Sequence, residues 1–181
     1  MGEPAARGLA GRERECHAGP MKTLYLVRHA KSDWGDPLLD DHDRPLNDRG
    51  LRDAPAMGRR LAERGVRPDR IVTSTAVRAR STARLLARTL GIGDDHVVEE
   101  RKLYAASDRS ILAVAAGLDD ALDVAMLVGH NPGMSDAVGE LTGEWVELPT
   151  CAVVECRVGV DAWAELVEGT GELVGVDTPK G

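Results

Sequence analysis

Phenylalanine is absent from this chain of 181 residues, and aromatic residues make up only 3% of it. A core must therefore be built from Leu, Val, Ala and Ile, and a hydrophobic content of 43% is enough for one ordinary domain. Cysteine is scarce as well. Cys16, Cys151 and Cys156 are odd in number and widely spread, which excludes a disulfide framework and suits a reducing cytoplasm. Cys151 and Cys156 stand five apart in a predicted strand, so their side chains point to opposite faces. No Cys/His cluster has zinc spacing. No apolar run approaches the roughly 20 residues of a membrane span. Positive charge is in deficit, with 23 bases against 30 acids and a net charge of −7. That balance argues against a general nucleic-acid binder, which needs a positive field.

Residues 1–20, MGEPAARGLAGRERECHAGP, carry no helix or strand period and no apolar signal region. They read as a disordered extension, and residues 21–181 as one domain. From Met21 onward strand and helix signals alternate. Leu24 to Val27 is an apolar run of the buried-strand type. A helix lies within Leu51 to Arg64, where Pro55 must kink it or sit in its first turn. Arg70 to Ser74 is a strand, and Ala76 to Leu90 a helix ended by Gly91. His96 to Glu99 is a short strand. Ser107 caps a helix reaching Ala116. Val124 to Gly129 is the most apolar strand, and Pro132 opens a helix ending near Thr142. Cys151 to Val158 and Trp163 to Val167 read as two late strands forming a hairpin. Interleaving of this kind predicts an α/β fold, a three-layer α/β/α sandwich around a mostly parallel sheet.

In such a sheet, functional groups gather past the carboxyl ends of the strands. The first strand ends in Arg28-His29-Ala30-Lys31-Ser32. The second ends in Ser74-Thr75, with Arg78 one turn into the next helix. The fourth ends in Gly129-His130-Asn131-Pro132-Gly133. Arg78 is the informative one, because a cation in a first helical turn opposes the helix dipole unless an anion sits between them. Arg80, Arg84 and Arg88 read as a solvated face. His17, His42 and His96 read as surface or structural. Trp34 is either a pocket wall or a docking aromatic, and Trp145 and Trp163 are expected in the core or on a sheet face. Two arginines and two histidines around one point suit a dianion such as phosphate. A neutral imidazole can attack phosphorus while guanidiniums balance the equatorial oxygens, with no metal and no cofactor in the scheme.

These residues resemble a known family. Leu26-Val27-Arg28-His29-Ala30-Lys31-Ser32-Asp33-Trp34 is similar to the opening signature of the histidine phosphatase (phosphoglycerate mutase-like) superfamily. Arg44-Pro45-Leu46-Asn47-Asp48-Arg49-Gly50, Ser74-Thr75-Ala76-Val77-Arg78-Ala79-Arg80-Ser81-Thr82-Ala83 and Val128-Gly129-His130-Asn131-Pro132 resemble its later blocks in the same order. The resemblance implies a phosphoglycerate mutase-like fold, His29 as the phosphorylated nucleophile, and Arg28, Arg78 and His130 as phosphoryl-binding groups. Ala30 stands where the family usually has glycine, as in its small SixA-like members. Many members also carry a general-acid glutamate in mid-chain, where this sequence reads Leu103-Tyr104-Ala105-Ala106-Ser107. Asp33 and Glu100 are the candidate substitutes, and having no acid is the third possibility.

A site without an acid favours a phosphorus–nitrogen bond over an ester, since imidazole leaves more easily than alkoxide. The expected function is therefore a metal-independent cytoplasmic phosphatase acting on phosphohistidine in proteins, as SixA-type phosphatases do. A small-molecule phosphomonoesterase and a non-catalytic phosphate-binding module are the alternatives. The expected partner is a phosphorylated protein or a small phosphate ester, not nucleic acid or membrane. Nothing in the sequence fixes an oligomeric state.

Overall fold

An unbroken apolar run is what a strand covered on both faces requires, and β1 (Lys22–Arg28) meets that condition. Leu24 and Leu26 point into one core, Tyr25 and Val27 into the other. The computed structural model describes residues 21–180. The expectations for residues 1–20, with Cys16 and His17, lie outside the described residues. After β1 come α1 (Asp48–Glu63), β2 (Arg70–Thr73), α2 (Val77–Leu90), β3 (Val97–Glu99), α3 (Asp108–Ala116), β4 (Val124–Gly129), α4 (Gly133–Thr142), β5 (Val153–Val158) and β6 (Gly171–Asp177).

The six strands form one sheet in the order β3-β2-β4-β1-β5-β6. The first four run parallel, and β5 is antiparallel to both β1 and β6. Ala54, Met57 and Leu61 of α1 pack with Ala83 and Leu86 of α2 on the Tyr25 face. Ile111 and Ala115 of α3 pack with Met134, Val138 and Leu141 of α4 on the Leu24 face. The architecture is the expected three-layer sandwich. Cys151 and Cys156 are free thiols buried in the two different cores, although Cys151 lies in the turn before β5 with a positive φ of 66° and not in the strand.

Three expectations need correction. α1 starts at Asp48, capped by Asn47, and runs through Pro55 instead of beginning there. The ring removes one helical hydrogen bond, and the carbonyl it would have used belongs to Leu51, half-exposed and able to bond water. Trp163–Glu165 is a single 3-10 turn, and the sixth strand is Gly171–Asp177. Trp163 is fully buried, and its Nε1 donates to the Leu122 carbonyl at 2.8 Å, so the residue serves as a core plug. Finally, Trp145 is exposed in the segment after α4.

The connection from β1 to α1 folds back on itself. Ser32 bridges Leu46, and Asn47 donates its backbone N–H to Lys31 at 3.0 Å. Gly50 lies so close beneath this crossing that a Cβ there would stand 2.2 Å from the Lys31 carbonyl oxygen. The closed loop carries an exposed stretch, residues 33–40, and a 3-10 turn, Asp41–Asp43.

Candidate active site

Strands β2, β4 and β1 lie side by side, so their carboxyl ends form a single edge at the middle of the sheet. Arg28 sits opposite Gly129 across the parallel ladder, and the backbone N–H of His29 donates to the Gly129 carbonyl at 3.0 Å. His29 and His130 therefore emerge together. Their ring centroids are 5.0 Å apart. Arg78 projects from the first turn of α2 between them and is buried. The four residues singled out from the sequence thus converge at one place.

Hydrogen bonding fixes the tautomers. The Nδ1 of His29 faces the Ala30 carbonyl at 2.7 Å, and a carbonyl only accepts, so the proton is on Nδ1 and Nε2 keeps its lone pair. Arg78 Nε donates toward that lone pair at 3.3 Å. Arg78 Nη2 also approaches His130 Nδ1 at 3.4 Å, which places the His130 proton on Nε2, donated to Ser74 Oγ at 2.8 Å. Burial is the main force on both rings, and it favours the neutral form. Burial and the Arg78, Arg28 and Arg44 charges together lower the His29 pKa to about 4, against the opposing Ala30 hydrogen bond. Burial, His29 and Arg78 lower that of His130 to about 3, with Asp41 opposing. Both imidazoles are neutral at pH 7.

Arg28 donates through Nη1 to the Leu148 carbonyl at 2.6 Å, the same oxygen that Asn131 Nδ2 reaches at 3.0 Å. Burial lowers the Arg28 pKa, with the Glu147 charge opposing. Its buried Nε finds no partner among the described residues.

Four contributors escaped the sequence reading. Arg44 is buried, donates to Ser32 Oγ at 2.7 Å, and stacks over the Trp34 ring at 3.4 Å from its centroid. Its Nε is likewise unpartnered among the described residues. Asp41 accepts from Arg78 Nη2 at 2.8 Å and pairs with Arg44 Nη1 at 3.1 Å, while its backbone carbonyl accepts from Arg78 Nη1. Tyr104 donates its hydroxyl to Asp41 Oδ2 at 3.1 Å and sets its ring edge-on to His130. Thr82 Oγ1 accepts from the Ala30 N–H at 3.0 Å and donates to the Arg78 carbonyl at 2.7 Å, stitching β1 to α2. Arg44 and Thr82 were present in the recognised sequence blocks. Asp41 and Tyr104 had no signal beyond position.

The expected acids are elsewhere. Asp33 is exposed and turns back onto the Gly35 N–H, and Glu100 caps the turn at Lys102. Arg80 and Arg84 face Glu99, as a solvated face does. His96 lies on the surface against the Asp69 carbonyl. His42 is not a remote surface residue: it follows Asp41 at the pocket rim and bonds Thr75 Oγ1 at 3.1 Å.

The arrangement joins three guanidiniums, two neutral imidazoles and one carboxylate. Such a pocket can bind a phosphoryl dianion and present an imidazole lone pair to phosphorus. A family model described as the histidine phosphatase superfamily (branch 1) matches residues 24–107, a span that includes Arg28, His29, Arg44 and Arg78. An uncharacterised protein of Mycobacterium tuberculosis is 34% identical over 167 residues, covering 85% of this chain and 100% of that protein. A SixA protein of Agrobacterium tumefaciens, assigned as a phosphohistidine phosphatase, is similar at a TM-score of 0.74 and 30% identity, covering 87% of this chain and 98% of that one. The protein histidine phosphatase SixA complexed with tungstate is similar in fold, with a TM-score of 0.76 and 19% identity over 87% and 97% of the two chains. The architecture is that of the phosphoglycerate mutase-like fold.

Proposed function

Because this chain belongs to the histidine phosphatase superfamily and is a phosphatase, we propose that it dephosphorylates phosphohistidine in proteins, with His29 as nucleophile and without a metal. The observation that carries this reading is the state of Asp41, the carboxylate that faces the pocket. Burial pulls its pKa upward, but hydrogen bonds and charge from Arg78, Tyr104 and Arg44 outweigh that and hold it below the usual carboxylate range. A carboxylate held ionised is a poor proton donor. Expelling an alkoxide without a donor forfeits roughly 10²–10⁴-fold in rate. A phosphorylated imidazole that carries a proton on its other nitrogen leaves as neutral imidazole and makes no such demand.

In the first step His29 Nε2 releases the Arg78 Nε–H and attacks phosphorus. The P–N bond to a substrate ring protonated on its other nitrogen breaks, its electron pair leaving with that ring as neutral imidazole. Arg28, Arg78 and His130 hold the phosphoryl oxygens as charge redistributes. The Ala30 carbonyl keeps the Nδ1 proton in place, so the phosphorylated His29 ring is cationic. Water then attacks phosphorus, and the ring leaves as neutral imidazole, releasing phosphate. Arginine supplies the positive charge that a metal supplies elsewhere. A protein substrate is supported by the exposed Trp34, Leu38 and Leu39 on the loop beside the pocket. Among the described residues, no helix is long and apolar enough to cross a membrane.

The test is side-by-side hydrolysis, with EDTA present, of a phosphohistidine peptide and an aryl phosphate ester. The expected result is a preference for phosphohistidine by roughly a hundredfold or more, the contribution of the absent acid, lost entirely in His29→Ala. Equal ester turnover would favour a phosphomonoesterase. Phosphate binding without turnover of either would favour a binding module.

A further inference from the structure

Asp41 does more in the pocket than withhold a proton. Its two carboxylate oxygens divide between two guanidiniums, Oδ2 on Arg78 Nη2 at 2.8 Å and Oδ1 on Arg44 Nη1 at 3.1 Å. Its backbone carbonyl accepts from Arg78 Nη1. Both terminal nitrogens of Arg78 thereby meet one residue, Nη2 also approaching His130 Nδ1, on the edge by which a guanidinium grips a phosphoryl group in two-point fashion. Asp41 stands in the relation to Arg78 and Arg44 that a bound oxyanion would have. It is not locked there: it lies in a short turn, and its side chain is 54% exposed.

We propose that Asp41 is a resident anion that occupies Arg78 and Arg44 when no phosphoryl group is bound, yields them on binding, and returns to displace product phosphate. This rests on Arg78 being a phosphoryl-binding residue. A pocket of three guanidiniums with no internal anion would retain its product, since phosphate meets the same donors as the substrate. Returning the carboxylate to Arg78 restores a satisfied ion pair as phosphate departs, so tight binding is exchanged for turnover. Tyr104 steers the return through its hydroxyl on Oδ2. Asp41 is in this sense a positioning residue acting through Arg78.

The experiment titrates inorganic phosphate into the full chain by calorimetry, comparing wild type, Asp41→Asn and Asp43→Asn. The amide of Asp41→Asn keeps the shape and removes the charge. Asp43 is in the same turn but bonds His42, so its variant controls for net charge alone. Phosphate should bind Asp41→Asn about tenfold more tightly than wild type and Asp43→Asn nearly as wild type. Product inhibition should deepen equally, with kcat and KM both falling. A merely structural role predicts weaker binding instead, and equal or weaker binding by Asp41→Asn overturns the proposal while leaving the phosphate site intact. No phosphate binding by any of the three overturns the site reading and the proposal with it. Independently of any variant, wild type crystallised with tungstate should show the Asp41 carboxylate withdrawn from Arg78 Nη2, beyond the roughly 4 Å reach of an ion pair. Tungstate bound with that pair still closed overturns the proposal.

Discussion

His29 and His130 are buried as neutral rings among cations, and that has a thermodynamic consequence apart from catalysis. In the unfolded chain both take up protons near the ordinary value of about 6.5. In the folded chain His29 resists to about 4 and His130 to about 3, chiefly through burial. Between those limits the unfolded state binds more protons, so stability is complete above about pH 6.5 and declines as pH falls toward 4 and below. A melting series run from neutral pH down to about 4.5, inside that window, should show a falling Tm, and a His29→Gln, His130→Gln double variant should show a shallower fall. Parallel pH profiles for the two proteins would contradict this assignment. At this scale the sequence was legible where a residue type is anomalous for its place. Arg78 in a first helical turn was such an anomaly. Asp41 was not, because an aspartate in a polar loop is ordinary until the Ser32–Leu46 bridge folds that loop over the pocket.

Among the elements, α2 bears most directly on the site. Its start carries Arg78, and one turn later Thr82 bonds both the Ala30 N–H and the Arg78 carbonyl. Thr82→Val keeps the volume and leaves the buried Ala30 N–H without an acceptor. The expected loss is about 1–3 kcal/mol of stability in denaturant titration, with a fall in kcat larger than any change in KM. Unchanged kcat would mean that the hydroxyl does not position His29. The helices were the most legible elements because their ends are written in side chains. Ser107 accepts from the Ser110 N–H, and Gly91 closes α2 in the left-handed conformation. β6 was not legible. It is an edge strand that contains Gly175 and a register shift in its pairing with β5, with its valines exposed, whereas Trp163 has strand character and is used as a plug. Local preference yields at both places to what the sheet and core require.

Over the whole molecule, a net charge of −7 surrounds a pocket of three guanidiniums. The loop that closes this pocket also carries Leu38, which is 91% exposed. If the substrate is a protein, that loop meets it. Leu38→Asp should raise KM several-fold for a phosphohistidine protein and leave hydrolysis of a small aryl phosphate unchanged. Equal effects on both substrates would place the loop in the chemistry and not in recognition.

The position of β1 also bears on how the chain is made. It leaves the ribosome before the other five strands, and its two neighbours in the sheet are β4 and β5. β2 pairs with β3 and with β4, and neither β2 nor β3 pairs with β1. During synthesis Leu24 to Val27 thus wait, both edges unsatisfied, through about a hundred residues of growth, a long-range closure that slows folding and exposes the nascent chain to aggregation. The phosphoryl cradle is accordingly a late product of translation. Any chain released before Leu148 has emerged lacks the carbonyl that steadies Arg28, however complete the strands made before it.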